Sequence, residues 1–388
     1  KSIKNTTMKI GILTQPLATN YGGILQCYAL MTTLKKLGVN PEVISRTYRS
    51  LSNDYYGMFF RFYHHMLYCI HHMCIIPMIS KKDRNKIAEN TNAFINKYIK
   101  PRTIQLYTDK ALKKIINNQD YDGYIVGSDQ CWRPRYSPNI NNYFLDFTKG
   151  KECKRIAYAA SFGVNNWEFS KSETNICSAL AKQFNAISVR EYSGVKLCKD
   201  YLGTEAIHVL DPTMLLEKEH YENLINNEKE PNSSGNLFCY ILDQTKNKTD
   251  IIENISAHCK LTPFTVMPKN KLTAMNAQQN INDCIFPSVT KWLRAFMDAE
   301  MVITDSFHGC VFSIIFNKPF WVIANKQRGL ARFESLLSLF DLESRIVSDD
   351  QNNHLNWSED IDWNSVNNKR KKLQNKSLDF LKSNLFNG

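Results

Sequence analysis

Residues 301–319 read MVITDSFHGCVFSIIFNKP. The apolar run Met301, Val302, Ile303 reads as a strand. A polar corner follows, Thr304-Asp305-Ser306-Phe307-His308-Gly309, and then an apolar helix-like run over 310–316 that Asn317 and Pro319 close. A strand that turns through polar residues into a helix makes a place for an anion. The helix start leaves N–H groups unpaired and carries partial positive charge. A histidine at such a corner can give or take a proton near neutral pH. A plainer reading makes Asp305 or Ser306 an N-cap and His308 an ordinary first-turn residue. On this stretch alone both readings stand.

The same grammar recurs outward. Upstream in the second half, strands are expected over 237–242 and 264–267, with helices over 249–259 and 288–299. Downstream, a strand over 320–323 leads into 325–332, which carries Lys326, Arg328 and Arg332, then helices over 333–340 and 364–386. The polar, turn-rich stretch NNEKEPNSSG (226–235) is the clearest linker. Before it, a strand over 9–14 runs through Asn20-Tyr21-Gly22-Gly23 into a helix over 24–37. A second strand is expected over 40–45 and charged helices over 82–98 and 109–117. The strand over 121–126 ends in Gly127-Ser128-Asp129-Gln130-Cys131-Trp132, that over 154–159 in Ala160-Ser161-Phe162-Gly163, and that over 186–189 in Arg190-Glu191. A strand over 207–210 leads to Asp211-Pro212-Thr213. Strand–loop–helix alternation on both sides of one linker predicts an α/β protein of two Rossmann-like domains, 1–225 and 226–388. Their sheets should be mainly parallel, the first carrying a helical insertion at about 54–118 and the second a long final helix. Ligands of open parallel sheets sit at strand carboxyl ends, so the polar corners should face a central cleft. An arginine there, Arg190, can hold a carboxylate or phosphate with two parallel hydrogen bonds, or it can pair with Glu191. Ser128 and Asp129 can orient a hydroxyl, or merely close a turn.

The 388 residues are 43% hydrophobic, enough for two cored domains. The 49 Lys and Arg against 37 Asp and Glu give a net charge of +12, which favours an anionic partner. The basic residues are scattered, which weighs against nucleic acid. Eleven cysteines, an odd number without a C-x-x-C pair, fit a reducing compartment better than a disulfide framework. Residues 1–7 are polar, unlike a signal peptide, and Met8 looks like a natural start. The stretch 58–79, MFFRFYHHMLYCIHHMCIIPMI, is long enough to span a bilayer but holds Arg61, four histidines and Pro77. It reads instead as an amphipathic helix packed on the domain or on a membrane surface. Its histidine pairs lie seven apart, roughly 10 Å along a helix, too far to share a metal ion. No metal site is expected.

Six motifs in order, NYGGILQCYAL (20–30), GSDQCW (127–132), YAASFG (158–163), SVREYSG (188–194), DPTMLL (211–216) and TDSFHG (304–309), resemble the polysaccharide pyruvyl transferase family. The agreement runs over about 9–342, and 58–118 matches little. The resemblance implies a GT-B-like fold with the acceptor on the first domain and the donor on the second. It also implies transfer of the carboxyethylidene group of phosphoenolpyruvate to a sugar of a surface-glycan (exopolysaccharide) precursor, as a ketal, with release of phosphate. Such chemistry needs cationic clamps, a proton donor and an acceptor for hydroxyl protons. By this resemblance His308 is a donor ligand and general acid, and Asp129 the group that takes a hydroxyl proton. Arg190, Ser306 and Gly309 would hold the donor. Asn20, Tyr21, Gly22, Ser128, Asp129, Trp132 and Ser161 would face the acceptor. Many members carry Arg-Leu-His where this chain has Ser306-Phe307-His308, so Arg328 or Arg332 would supply the missing charge. Phosphoenolpyruvate serves as substrate and no cofactor is implied. The partners are a glycan or lipid-linked sugar, not nucleic acid. The location is cytoplasmic, and the basic balance and the 58–79 stretch suit contact with the inner face of the membrane. The alternative is a GT-B-type glycosyltransferase with a nucleotide-sugar donor, because fold does not fix function.

Overall fold

The computed structural model describes residues 7–48, 79–324, 330–348 and 356–387. The expected amphipathic helix at 58–79, with its histidines, lies outside them except for Ile79. The first sheet has six parallel strands: β1 (Lys9–Leu13), β2 (Asn40–Val43), β3 (Gly123–Val126), β4 (Lys154–Ala160), β5 (Ala186–Val189) and β6 (Ile207–His208), ordered β2-β1-β3-β4-β5-β6. The second has five parallel strands: β7 (Leu237–Tyr240), β8 (Pro263–Phe264), β9 (Met301–Thr304), β10 (Phe320–Ala324) and β11 (Ile346–Ser348), ordered β11-β10-β9-β7-β8. These are the two parallel-sheet α/β domains that the alternation predicts. Every residue of β3, β9 and β10 is buried. Helices cover both faces of such sheets, so their strands read as unbroken apolar runs.

The chain reverses its direction of strand addition once in each sheet, between β1 and β3 and between β7 and β9. Such switch points open a crevice at the strand carboxyl ends. At the first lie Gln15 and Asp129, and at the second Asp305.

The first helix spans Tyr21–Lys36, three residues earlier than its apolar pattern suggests, so Gly22 and Gly23 lie inside its first turn. Asn20 caps it, accepting from Gly23 N at 3.2 Å. Almost the whole helix is buried, because it is wedged between the two halves. Tyr21 stacks on Trp292 of the second half with ring centroids 5.5 Å apart, and one apolar cluster runs from Ile10 through Trp292 to Leu385.

Several elements differ from the sequence pattern: the helix expected over 310–316 spans Phe307–Ile315, and that expected over 333–340 spans Leu330–Leu337. The expected helix over 82–98 is two helices, Lys81–Ile87 and Glu89–Tyr98, broken at Ala88. The final helix, Trp363–Phe386, follows the second sheet in sequence but packs on the first. Leu210 N donates to Ser377 Oγ at 3.0 Å, Gln374 Nε2 donates to Leu215 O at 3.2 Å, and Phe380 meets Tyr158. Its buried positions, among them Gln374, Ser377, Leu381 and Leu385, recur at three and four residues.

Candidate active site

The corner after β9 is built around Thr304. Its hydroxyl donates to Tyr240 O at 2.8 Å and accepts from Ser306 N at 3.0 Å. Ser306 is the N-cap of the helix Phe307–Ile315 and accepts from Gly309 N at 3.4 Å. A Cβ on Gly309 would come within 2.1 Å of Thr304 Oγ1, so the turn demands glycine. Asp305 faces away from the cleft. It accepts from Leu242 N at 2.7 Å, Asp243 N at 3.1 Å and Lys248 Nζ at 2.7 Å. Asp305 thus locks the second switch point shut with a buried ion pair.

His308, the next turn's first inward residue, crosses to the other half. Its ring lies on Gly22, where a Cβ would fall 2.0 Å from Nδ1. Its Nε2 is 3.4 Å from Asp211 Oδ2 and has no aligned hydrogen-bond partner among the described residues. Asp211 follows β6 and is fully buried. Its Oδ1 accepts from Thr213 N and Oγ1, and its Oδ2 accepts from Arg190 Nη1 at 3.0 Å. Burial alone would raise its pKa, but the charges of His308 and then Arg190 outweigh burial and hold the carboxyl well below the usual range.

Arg190 is the hub. Its Nη2 lies 3.4 Å from Asp129 Oδ1, and its guanidinium carbon sits 4.3 Å from the Phe307 ring centroid. Burial opposes its charge, but Asp129, Asp211 and Glu191 outweigh that and raise its pKa. Asp129 also accepts from Asn20 Nδ2 at 3.3 Å. Its backbone has a φ of 65°, the left-handed region that costs an L residue energy and recurs at functional sites. Glu191 is turned inward, accepting from Ser161 Oγ at 2.9 Å and Phe162 N at 2.8 Å.

Arg332 enters from the helix Leu330–Leu337 of the second half, which docks on the first through Tyr192 N donating to Ser335 Oγ at 2.8 Å. Burial, and then the like charge of Arg190, lower its pKa, while Glu191 and Asp129 oppose them. The Nε atoms of Arg190 and Arg332, together with His308 Nε2, are buried without a hydrogen-bond partner among the described residues. Two guanidinium Nε atoms left unpaired, beside a histidine held only by a long 3.4 Å contact to Asp211, are a costly arrangement for a protein interior. It suits an anion that would satisfy them.

The structure thus brings together Asn20, Asp129, Arg190, His308 and Arg332. Arg328 lies outside the described residues. Asp211 was within a quoted motif, yet its place between the halves was not foreseen; its only sequence signal was an acid before proline at a strand end. The remaining expected residues have other partners in this structure. Tyr21 is buried, donating to Pro287 O at 2.9 Å. Ser128 is buried and donates to Ala159 O at 2.7 Å. Trp132 is buried, stacked on Phe144 at 4.7 Å with its N–H on Tyr143 O. Ser161 is buried against Glu191. None of these four is exposed in this structure. Gly22 is the seat of His308, and Gly309 a spacer whose N–H is spent on Ser306.

Two parallel α/β domains with a polar cluster between them form a GT-B-like fold. The structure is similar to Arabidopsis thaliana UGT89C1 complexed with UDP-L-rhamnose, with a TM-score of 0.52 and 10% identity over 97% of this chain and 99% of that one. It is also similar to UDP-GlcNAc 2-epimerase from Neisseria meningitidis, with a TM-score of 0.50 and 11% identity over 98% and 100%. At these identities the likeness carries the fold alone. Residues 20–327 match the polysaccharide pyruvyl transferase family, and the chain belongs to it. No curated protein sequence gives a significant match. Among the described residues no helix is long and apolar enough to cross a membrane.

Proposed function

We propose that the protein transfers the carboxyethylidene group of phosphoenolpyruvate to a sugar of a surface-glycan precursor, forming a ketal and releasing phosphate. The observation that carries this reading is the set of buried donors on Arg190, Arg332 and His308, contributed by both halves: both guanidinium Nε atoms are unpaired and His308 is held only at 3.4 Å from Asp211. Phosphoenolpyruvate is small and highly anionic, and two guanidinium groups and an imidazole match its carboxylate and phosphate. In the reaction the methylene carbon gains a proton, C2 becomes electrophilic, two sugar hydroxyls bond to it, and phosphate departs with the C–O electron pair. His308 is the group on hand to give the proton. Asp129, on the Asn20 side of the cluster, takes one hydroxyl proton, which balances the proton given to carbon, and the second hydroxyl proton leaves with the phosphate. The overall change is redox-neutral and calls for no redox cofactor. Arg332 supplies the charge that Ser306 cannot. The acceptor is a glycan or lipid-linked sugar, and the work is done at the cytoplasmic face of a membrane.

Calorimetric titration with phosphoenolpyruvate tests this directly. Wild type should bind it, and Arg332→Ala and His308→Ala should each weaken binding at least about tenfold, the loss expected for an unpaired charged contact. A protein that ignores phosphoenolpyruvate but binds a UDP-sugar would replace this reading with that of a nucleotide-sugar glycosyltransferase.

A further inference from the structure

With Tyr21, Ser128, Trp132 and Ser161 buried, an acceptor longer than one sugar needs another surface. Gln15 points to one. Its Nε2 donates to Gln130 O at 2.8 Å and Ser137 Oγ at 3.2 Å, beside Asp129. Past Ser137, along the carboxyl edge of the first sheet, opens a groove of about 540 Å³ lined in part by Arg46, Tyr107, Asp109, Asn139, Asn141 and Glu173.

Three features set its chemistry. Its polar walls are held in place: Arg46, itself buried, donates to Asn142 Oδ1 at 2.9 Å and to Asp109 Oδ1 at 3.1 Å. Asn139 Nδ2 in turn donates to Asp109 Oδ2 at 2.8 Å. Side chains fixed in this way bind without an ordering cost. Second, the groove is not cationic, although the chain carries +12. Arg46 is neutralised by Asp109, and Glu173 adds negative charge, so a phosphate or an acidic polymer is disfavoured. Amides and hydroxyls that both donate and accept, beside carboxylates that accept, suit a ligand rich in hydroxyls. Third, it offers aromatic rings. Tyr107 lines it, and Tyr136, between the lining residues Pro134 and Ser137, is 42% exposed, with the Arg133 guanidinium 4.7 Å from its ring centroid. An exposed tyrosine gives a flat apolar face with a polar tip, which fits the alternating C–H and O–H faces of a sugar ring.

We propose that this groove binds the saccharide chain of the acceptor, a neutral oligosaccharide, beyond the sugar that reacts at the Asp129–His308 cluster. The inference rests on the transferase reading for its connection to the reaction, but the binding can be tested apart from it. The full-length protein is applied to a broad glycan array, as wild type and as Tyr107→Ala, Tyr136→Ala and Tyr136→Phe. Phosphoenolpyruvate binding by each is measured by calorimetry. The wild type should retain oligosaccharides over monosaccharides. The two alanine variants should lose about tenfold in affinity, as truncated aromatic contacts commonly do. Tyr136→Phe should keep its binding because the ring face remains. Phosphoenolpyruvate affinity should stay that of wild type in all three, which also shows that they are folded. No retained glycan, or equal retention by the alanine variants, overturns the groove while leaving the donor reading intact. Groove-dependent glycan binding without phosphoenolpyruvate binding overturns the donor reading while the saccharide site stands.

Discussion

Asp129 and Asp305 occupy equivalent places. Each follows a parallel strand at the switch point of its sheet, and in the sequence they look alike. Their partners make them different. Asp305 is met by Lys248 and two backbone N–H groups of its own domain, so its charge is spent on holding β7, β9 and the helix Lys246–Cys259 together. Asp129 stands at a loose 3.4 Å from Arg190 and reaches Asn20 at 3.3 Å, within a cluster that includes unpaired donors from the other domain. The lesson is that a strand-end carboxylate becomes a working group only where its neighbourhood is left incomplete.

The comparison can be broken most sharply at Asp305. Asp305→Ala strands a buried ammonium and should cost about 3–5 kcal/mol in urea unfolding, with phosphoenolpyruvate affinity of the folded fraction unchanged. If affinity falls as well, the second switch point is not purely structural. Gly22→Ala comes next. Its methyl would collide with the His308 ring, and we expect a loss of about 1–3 kcal/mol together with weaker phosphoenolpyruvate binding. Unaltered binding would show that the seat of His308 is incidental. Asp129→Asn should cost only about 1 kcal/mol or less, because Arg190 keeps Asp211. It should retain phosphoenolpyruvate binding and lose phosphate release in the presence of acceptor. A stability loss as large as that of Asp305→Ala would erase the distinction.

The smallest effect concerns pH. His208 hydrogen-bonds the Arg190 carbonyl at 2.9 Å, and burial lowers its pKa. The folded protein therefore holds fewer protons on this group than the unfolded chain does at mildly acidic pH. Its contribution is fully present above the unfolded value of about 6.5 and is lost as pH falls through the lower folded value. Melting temperature should decline from pH 7.5 to 5.5, with a shallower slope in His208→Gln. An equal slope in the variant would assign the decline to other groups.

Much of this was legible in the sequence because it is local. The strand–corner–helix pattern at 301–319 left the cap between Asp305 and Ser306, of which the structure takes Ser306, and put His308 near a helix start; alternation pointed to two parallel domains. Arg190 and Asp129 were legible as polar residues at strand ends. What was hidden depends on contacts distant in sequence. Nothing near Trp132 announces that Phe144 covers it, and nothing near Ser161 announces that Glu191 turns inward to meet it. The break at Ala88 was obscured by helical periodicity on both sides. Asp211 could not be ranked above other capping acids until Arg190 and His308 arrived from two different elements.

The final helix Trp363–Phe386 has a consequence for how the molecule is made. It lies on β4 and on the segment after β6, yet the ribosome synthesises it only after the entire second sheet. Domains commonly fold in the order in which they emerge. Here the region of β4 and the segment after β6 stays without its final helix until the second sheet has been made, so the two halves mature together. A nascent chain stalled after β11 should remain open to proteases in its first half, even though every strand of that half has already left the exit tunnel.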